Sequence, residues 1–120
     1  MLEPIEVDLT IYQGATFKKS WSMVEKGTEN PIDLSGYTAR MHIRGKLKDV
    51  EPILELTTEN GGITIVVAAE STSLDLYISP LDTAAITATK GVYDLELIDI
   101  AGDVYRLLSG DVAVSKEVTR

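Results

Sequence analysis

Apolar and polar residues alternate with a period of two along almost the whole chain, and this pattern predicts strand after strand. In IEVDLTI, residues Ile5, Val7, Leu9 and Ile11 fall on one face and Glu6, Asp8 and Thr10 on the other, until Gln13-Gly14 breaks the run. From Phe17 to Met23, the apolar side holds Phe17, Trp21 and Met23 against Lys18, Ser20 and Ser22. Lys19 intrudes on that apolar side, which suits an edge strand or a bulge. Polar residues from Glu25 to Asn30 read as an exposed connection. After Pro31, Ile32 and Leu34 lead through a Ser35-Gly36 turn into a strand with Tyr37, Ala39, Met41 and Ile43 inward.

Further strands are expected over Pro52 to Thr58, over Gly62 to Ala68, and where Leu74, Leu76 and Ile78 alternate with Asp75, Tyr77 and Ser79. Tyr93, Leu95 and Leu97 alternate with Asp94 and Glu96; two strands flank Asp99 to Asp103, and a third follows Gly110, where Val112, Val114 and Val118 repeat the period. TTENGGITI at residues 57 to 65 reads as a hairpin, because the central pair of a type I′ turn needs positive φ, which Asn tolerates and Gly adopts freely. A phosphate-binding glycine loop would need a helix to start next, and β-branched ITIVVAA follows instead. One short helical turn is expected near 80–87. Ser79 serves as N-cap, Pro80 takes the first helical position, and Asp82 lies three residues after the cap.

About eight or nine short strands with turn signals every 8 to 12 residues predict an all-β fold, an antiparallel β-sandwich. Immunoglobulin-like and jelly-roll-like sandwiches share this alternation, so the strand order stays open. No repeat, low-complexity stretch or linker divides the 120 residues, and one sandwich domain over 1–120 is expected. The chain has no cysteine, which excludes disulfides and thiolate metal sites. The opening MLEPIEVDLT lacks a basic, then apolar, leader, and no run nears the roughly 18 apolar residues of a membrane span, so a soluble protein made in a cytoplasm is expected.

A net charge of -8, from 11 Lys and Arg against 19 Asp and Glu, argues against nucleic acid and anionic membranes as partners. Arg40, His42, Arg44, Lys46 and Lys48 interrupt that acidity and form the candidate partner-binding residues, a basic ladder for an acidic protein. The same alternation also describes the solvated face of an amphipathic strand. Glu59, Asn60, Gly61 and Gly62 form a candidate contact loop at the expected hairpin tip.

Catalytic chemistry has little to build on. His42 is the only histidine, and its cationic neighbours Arg40 and Arg44 make a poor setting for a proton shuttle. Asp94 with Glu96, and Asp99 with Asp103, are the closest acid pairs, yet glycosidase chemistry needs two acids across a cleft. DIAGD puts Ile100 and Ala101 where a calcium loop would place further oxygen ligands, and reads as a hairpin turn with exposed acids. Trp21, Tyr93 and Tyr105 lie among aliphatics or acids, without the Lys and Arg that a nucleic-acid surface interleaves. No catalytic, cofactor or metal residue is assigned.

The segments IYQGATFKKSW, PIDLSGYTARMHIR, ILELTTENGGITI, LDLYISPLDTAAI and GVYDLELIDIAGDVYRLLSGDVAVSKEVTR, in that order, resemble a family of small tailed-phage and prophage structural proteins. More distantly, the pattern is similar to the N-terminal β-sandwich of phage baseplate upper proteins, which anchors receptor-binding proteins. The resemblance runs from about Ile11 to Arg120. It implies a virion protein of the tail, baseplate or head surface, made in the bacterial host cytoplasm. Such a protein has no enzymatic activity and no cofactor; its partners are other phage structural proteins or further copies of itself. No stalk or carrier region follows Thr119-Arg120, which suits an accessory, adaptor or decoration protein. Two other classes stay open: a carbohydrate- or receptor-binding sandwich with an exposed aromatic platform, and a hydrolase with a cleft holding paired acids.

Overall fold

Strand formation follows the alternation where one face of a segment can be buried. The computed structural model describes residues 4–25 and 27–119. Lys26 of the expected 25–30 connection, Arg120 and the first three residues of the opening segment lie outside them. The elements are β1 (Ile5–Glu6), β2 (Leu9–Tyr12), β3 (Phe17–Ser22), β4 (Thr38–Arg44), β5 (Leu54–Thr57), β6 (Ile63–Val67), β7 (Thr72–Ile78), α1 (Pro80–Ala84), β8 (Lys90–Ile98) and β9 (Val104–Ser115).

Two sheets face each other. The larger runs β1-β9-β8-β4-β5, with β2 also on β9, and the smaller runs β3-β7-β6. The chain crosses between sheets from β2 to β3, β3 to β4, β5 to β6 and, through α1, from β7 to β8. This is an all-β sandwich in the strand arrangement of the immunoglobulin type: β3, β7 and β6 take the places of strands B, E and D, and β9, β8, β4 and β5 those of G, F, C and C′. Its core joins Met41, Leu95, Leu97 and Val112 of the larger sheet to Ile63, Leu74, Leu76 and Ile78 of the smaller.

Several elements match the alternation closely. Ala39, Met41 and Ile43 are buried in β4, Leu74, Leu76 and Ile78 in β7, and Tyr93, Leu95 and Leu97 in β8. Lys19 is exposed on β3, an edge of the smaller sheet, where an inward-pointing lysine discourages further pairing. The Ser79 hydroxyl accepts the Asp82 amide at 3.1 Å, as its N-cap role requires, although α1 stops at Ala84. Thr83 is fully buried; it donates to the Ala15 carbonyl at 2.8 Å and accepts the Gly14 amide at 3.0 Å, tying α1 to the β2–β3 turn.

Four details depart from the sequence reading. Gly110 does not begin a new strand, because β9 runs unbroken through it; Val118 lies beyond β9 and is exposed. IEVDLTI splits into β1 and β2, both paired parallel to β9. The split has a cause at Val7 and Asp8: the Val7 carbonyl accepts the Tyr93 hydroxyl at 2.5 Å, and Asp8 Oδ1 takes the Asp111 amide at 3.0 Å in place of a backbone acceptor. Finally, TTENGG does not close a hairpin, since β5 pairs with β4 in one sheet and β6 with β7 in the other.

Tyr93 couples this joint to pH. Burial, and then the charge of Asp8, push its phenol from 10.0 up to about 12. Below pH 10 the phenol is protonated in both the folded and the unfolded chain. Between 10 and about 12 only the unfolded chain loses the proton, so stability falls as pH rises. Urea midpoints measured across that window should decline for the wild type and more gently for Tyr93→Phe. Parallel declines would mean that other groups govern the alkaline limb.

Candidate functional site

The inward packing of Ala39, Met41 and Ile43 forces Arg40, His42 and Arg44 onto the outer face of the larger sheet. Neighbouring strands set acids beside them: β8 places Glu96 opposite Arg40 and Asp94 opposite His42, and β5 places Glu55 opposite His42. Arg40 Nε lies 2.9 Å from Glu96 Oε1, and Arg106 Nη2 of β9 lies 3.6 Å from Asp94 Oδ2. Acid and base therefore alternate across β5, β4, β8 and β9 at Arg40 and His42, while Arg44 stands opposite Val92. Such exposed pairs contribute about 0–1 kcal/mol each.

His42 is held in one tautomer. Arg44 Nη2 donates to His42 Nδ1 at 2.9 Å, so the ring proton sits on Nε2 and donates to Glu55 Oε2 at 2.7 Å. Arg44 Nη1 also donates to the Val50 carbonyl at 2.6 Å and that of Asp49 at 3.1 Å. Lys46 and Lys48 fall past the end of β4, in its connection to β5, where the Lys46 amide donates to Asp49 Oδ2 at 2.9 Å. The five proposed residues thus divide into three on a sheet face and two in a loop.

Strand register gathers three connections at one end of the sandwich. Residue 38 opens β4 opposite Ile98 at the close of β8, and the Thr58 amide, just past β5, donates to the Ala39 carbonyl at 3.1 Å. The β3–β4, β5–β6 and β8–β9 connections therefore share that end, as binding loops do in immunoglobulin variable domains. Glu59, Asn60, Gly61 and Gly62 belong to this set. Asn60 does not adopt the positive φ of a type I′ turn; Gly61 does, at 83°. The Asn60 side chain shapes the crossover instead: Oδ1 accepts the Thr57 and Gly62 amides at 2.9 and 2.8 Å, and Nδ2 donates to the Glu55 carbonyl at 3.0 Å. Asn60→Ala should lower stability by about 1–2 kcal/mol, read as a lower urea midpoint at unchanged m.

The same end is acidic. Glu25, Glu29, Asp33, Glu59, Asp99 and Asp103 lie on the three connections, against Lys26 as their one basic residue in the sequence. Hydrogen bonds from Ser35 hold the Asp33 carboxyl below its usual range. Asp99 accepts the Tyr105 hydroxyl at 3.1 Å, and that bond raises the Tyr105 phenol. Asp99 and Asp103 stand in the expected hairpin turn: the Asp99 amide donates to the Asp103 carbonyl at 3.0 Å.

Below this end, an apolar groove of about 1190 Å³ opens between the β3 edge and the first half of β9. Trp21, Ile32, Tyr37, Tyr105 and Leu107 line it, with Glu25 and Asp33 at its border. The alternation puts Trp21 on the apolar side of its strand with Phe17 and Met23; it packs against the core and is half-buried, as are Tyr37 and Tyr105. These residues come from separate segments, and the only local signal was Lys19, which marked β3 as an edge. Among the described residues, no three His, Asp or Glu side chains gather as a metal-binding group, and no helix is long and apolar enough to cross a membrane.

No protein-family model matches the chain, and no curated protein does. Among solved structures it is similar to the SrpA adhesin R347E mutant from Streptococcus sanguinis, with 11% sequence identity and a TM-score of 0.44 over 91% of this chain. The match spans 55% of the adhesin chain, about half its length.

Proposed function

We propose that this protein is a non-enzymatic structural component of a phage virion, in the tail, in the baseplate or on the head surface, and that it works by protein–protein assembly. The observation that carries the reading is where the polar chemistry sits. His42, Glu55, Asp94 and Glu96 are taken up by cross-strand partners on an open sheet face. Among the described residues, an apolar groove beside the β3 edge and a set of connections gathered at one end are features by which proteins hold other proteins. The virion setting is supported by the order of segments from IYQGATFKKSW to SKEVTR, which resembles small tailed-phage structural proteins.

The test is compositional. Purified particles, probed by antibody labelling and quantitative mass spectrometry, should contain the chain in fixed proportion to tail, baseplate or head proteins. A chain abundant in the lysate but absent from washed particles would sink the proposal. Light scattering over a wide concentration range then separates two modes of assembly: a closed ring assigns it to symmetric self-assembly, and a persistent monomer to docking on another virion protein.

A further inference from the structure

β6 pairs with β7 on one side, and among the described residues no strand lies on its other side. The Gly62 carbonyl accepts the Tyr77 amide at 2.9 Å, and the Ala68 amide donates to the Ser71 carbonyl at 2.8 Å, so residues 62, 64, 66 and 68 are the hydrogen-bonded positions of the ladder. The N–H and C=O of Ile65 and Val67 therefore point away from β7. Val66 and Val67 are 43% and 44% exposed. The other edges are blunted. β3 carries exposed Lys18 and Lys19, and the edge formed by β1 and β2 breaks at Val7-Asp8. Asn60 caps β5, taking the Thr57 amide and donating to the Glu55 carbonyl. The undescribed residues adjoin Pro4, Glu25 and Thr119. Pro4 and Glu25 border the groove beside β3, and the Glu117 amide donates to Gln13 Oε1 at 2.9 Å, ahead of β3. β7 stands between β3 and β6.

We infer that β6 is an interface between two copies of this chain. Their β6 strands pair antiparallel about a two-fold axis at Val66, joining the two smaller sheets into one. In that register Ile65 of each copy stands opposite Val67 of the other as a hydrogen-bonded pair, and the two Val66 side chains meet across the closer, non-hydrogen-bonded pair. Charge decides the occupant. The chain has no charged residue from Asn60 to Ala69, and Asp75, opposite Thr64 on β7, accepts the Ser20 hydroxyl of β3 at 2.5 Å. A charged segment finds no counter-charge along this strand, whereas a second β6 matches it in spacing, in β-branched shape and in lack of charge. The net charge of -8 on each copy opposes approach at long range, so salt should promote the pairing. A single short edge makes a small contact, and the dissociation constant should be on the order of 100 μM.

Sedimentation velocity from about 10 μM to about 1 mM protein tests this. The mass should rise from one chain to two, and at lower protein concentration in about 0.5 M salt than in about 0.05 M. The Ile65 and Val67 amides should exchange more slowly in the concentrated sample. Val67→Pro deletes an edge N–H that β7 does not use, and Val66→Lys brings two like charges together at the axis. Each should weaken pairing at least tenfold, and Val66→Lys, at an exposed position, should keep the urea midpoint of the dilute wild type within about 0.5 kcal/mol. A chain that keeps a single-chain mass at about 1 mM in high salt overturns the inference. So does an assembly that both variants leave intact, one that salt dissolves, or one in which the Ile65 and Val67 amides gain no protection. The pairing stands apart from the virion reading: particles can contain a chain that stays monomeric, and a dimer can form from a chain that never enters particles.

Discussion

Gly110→Ala should cost about 3 kcal/mol and strip the N-terminal strands from the sheet. A Cβ at this position would run into the Val7 carbonyl oxygen, and would stand 2.8 Å from the Val7 carbonyl carbon and 3.0 Å from Asp8 Oδ1. None of these can swing aside freely. The Val7 carbonyl holds the Tyr93 hydroxyl and Asp8 Oδ1 holds the Asp111 amide, so moving either breaks a bond between β2's approach and the sheet. The parallel ladder from Leu9 to Tyr12 is the continuation of that contact, and it brings Leu9 and Ile11 into the core. Urea denaturation should give a much lower midpoint, and hydrogen exchange should show the amides of Val7 and β2 opening first. An unchanged midpoint would mean that the β1–β2 segment can shift along β9 without loss.

Leu95→Ala should be at least as damaging, at about 3–4 kcal/mol. Leu95 is fully buried in the middle of β8, with Met41 of β4 opposite on one side and Leu108 of β9 on the other. Antibody sandwiches pin their sheets here with a disulfide packed on a tryptophan. This chain has no cysteine, so close packing of aliphatic side chains has to hold the two layers together. A cavity at Leu95 removes contacts on both flanks at once, and domains of this size have only about 5–15 kcal/mol in total. The check is the urea midpoint at unchanged m, with the solvent-exposed Val118→Ala as a control expected within about 0.5 kcal/mol of wild type. A loss below about 1 kcal/mol for Leu95→Ala would mean that the core relaxes around the gap.

The candidate site was legible only in pieces. Arg40, His42 and Arg44 could be placed on an exposed face from period alone, because Ala39, Met41 and Ile43 between them are apolar. Whether that face is basic depends on strands 13 and 56 residues away that contribute Glu55 and Glu96. Local pattern carries no information about which strand lies alongside. The Asn60-Gly61 pair shows the same limit from the other direction. Its turn chemistry is real, yet Asn60 spends its side chain on Thr57, Gly62 and Glu55 to steer the chain into the opposite sheet.

What the sequence determined by itself is whatever a few consecutive residues settle between them. Two-residue alternation selects strands, Ser79-Pro80 with Asp82 starts a helix, and Lys19 on an apolar side marks an edge. Only the tertiary structure decided the immunoglobulin-type strand order, the parallel docking of β1 and β2 on β9, the acids set beside Arg40 and His42, and the groove between β3 and the first half of β9. The reason is physical: each depends on contacts between residues far apart in the chain, set by how two half-buried sheets can close over one core, and such pairings leave no periodic trace in either partner.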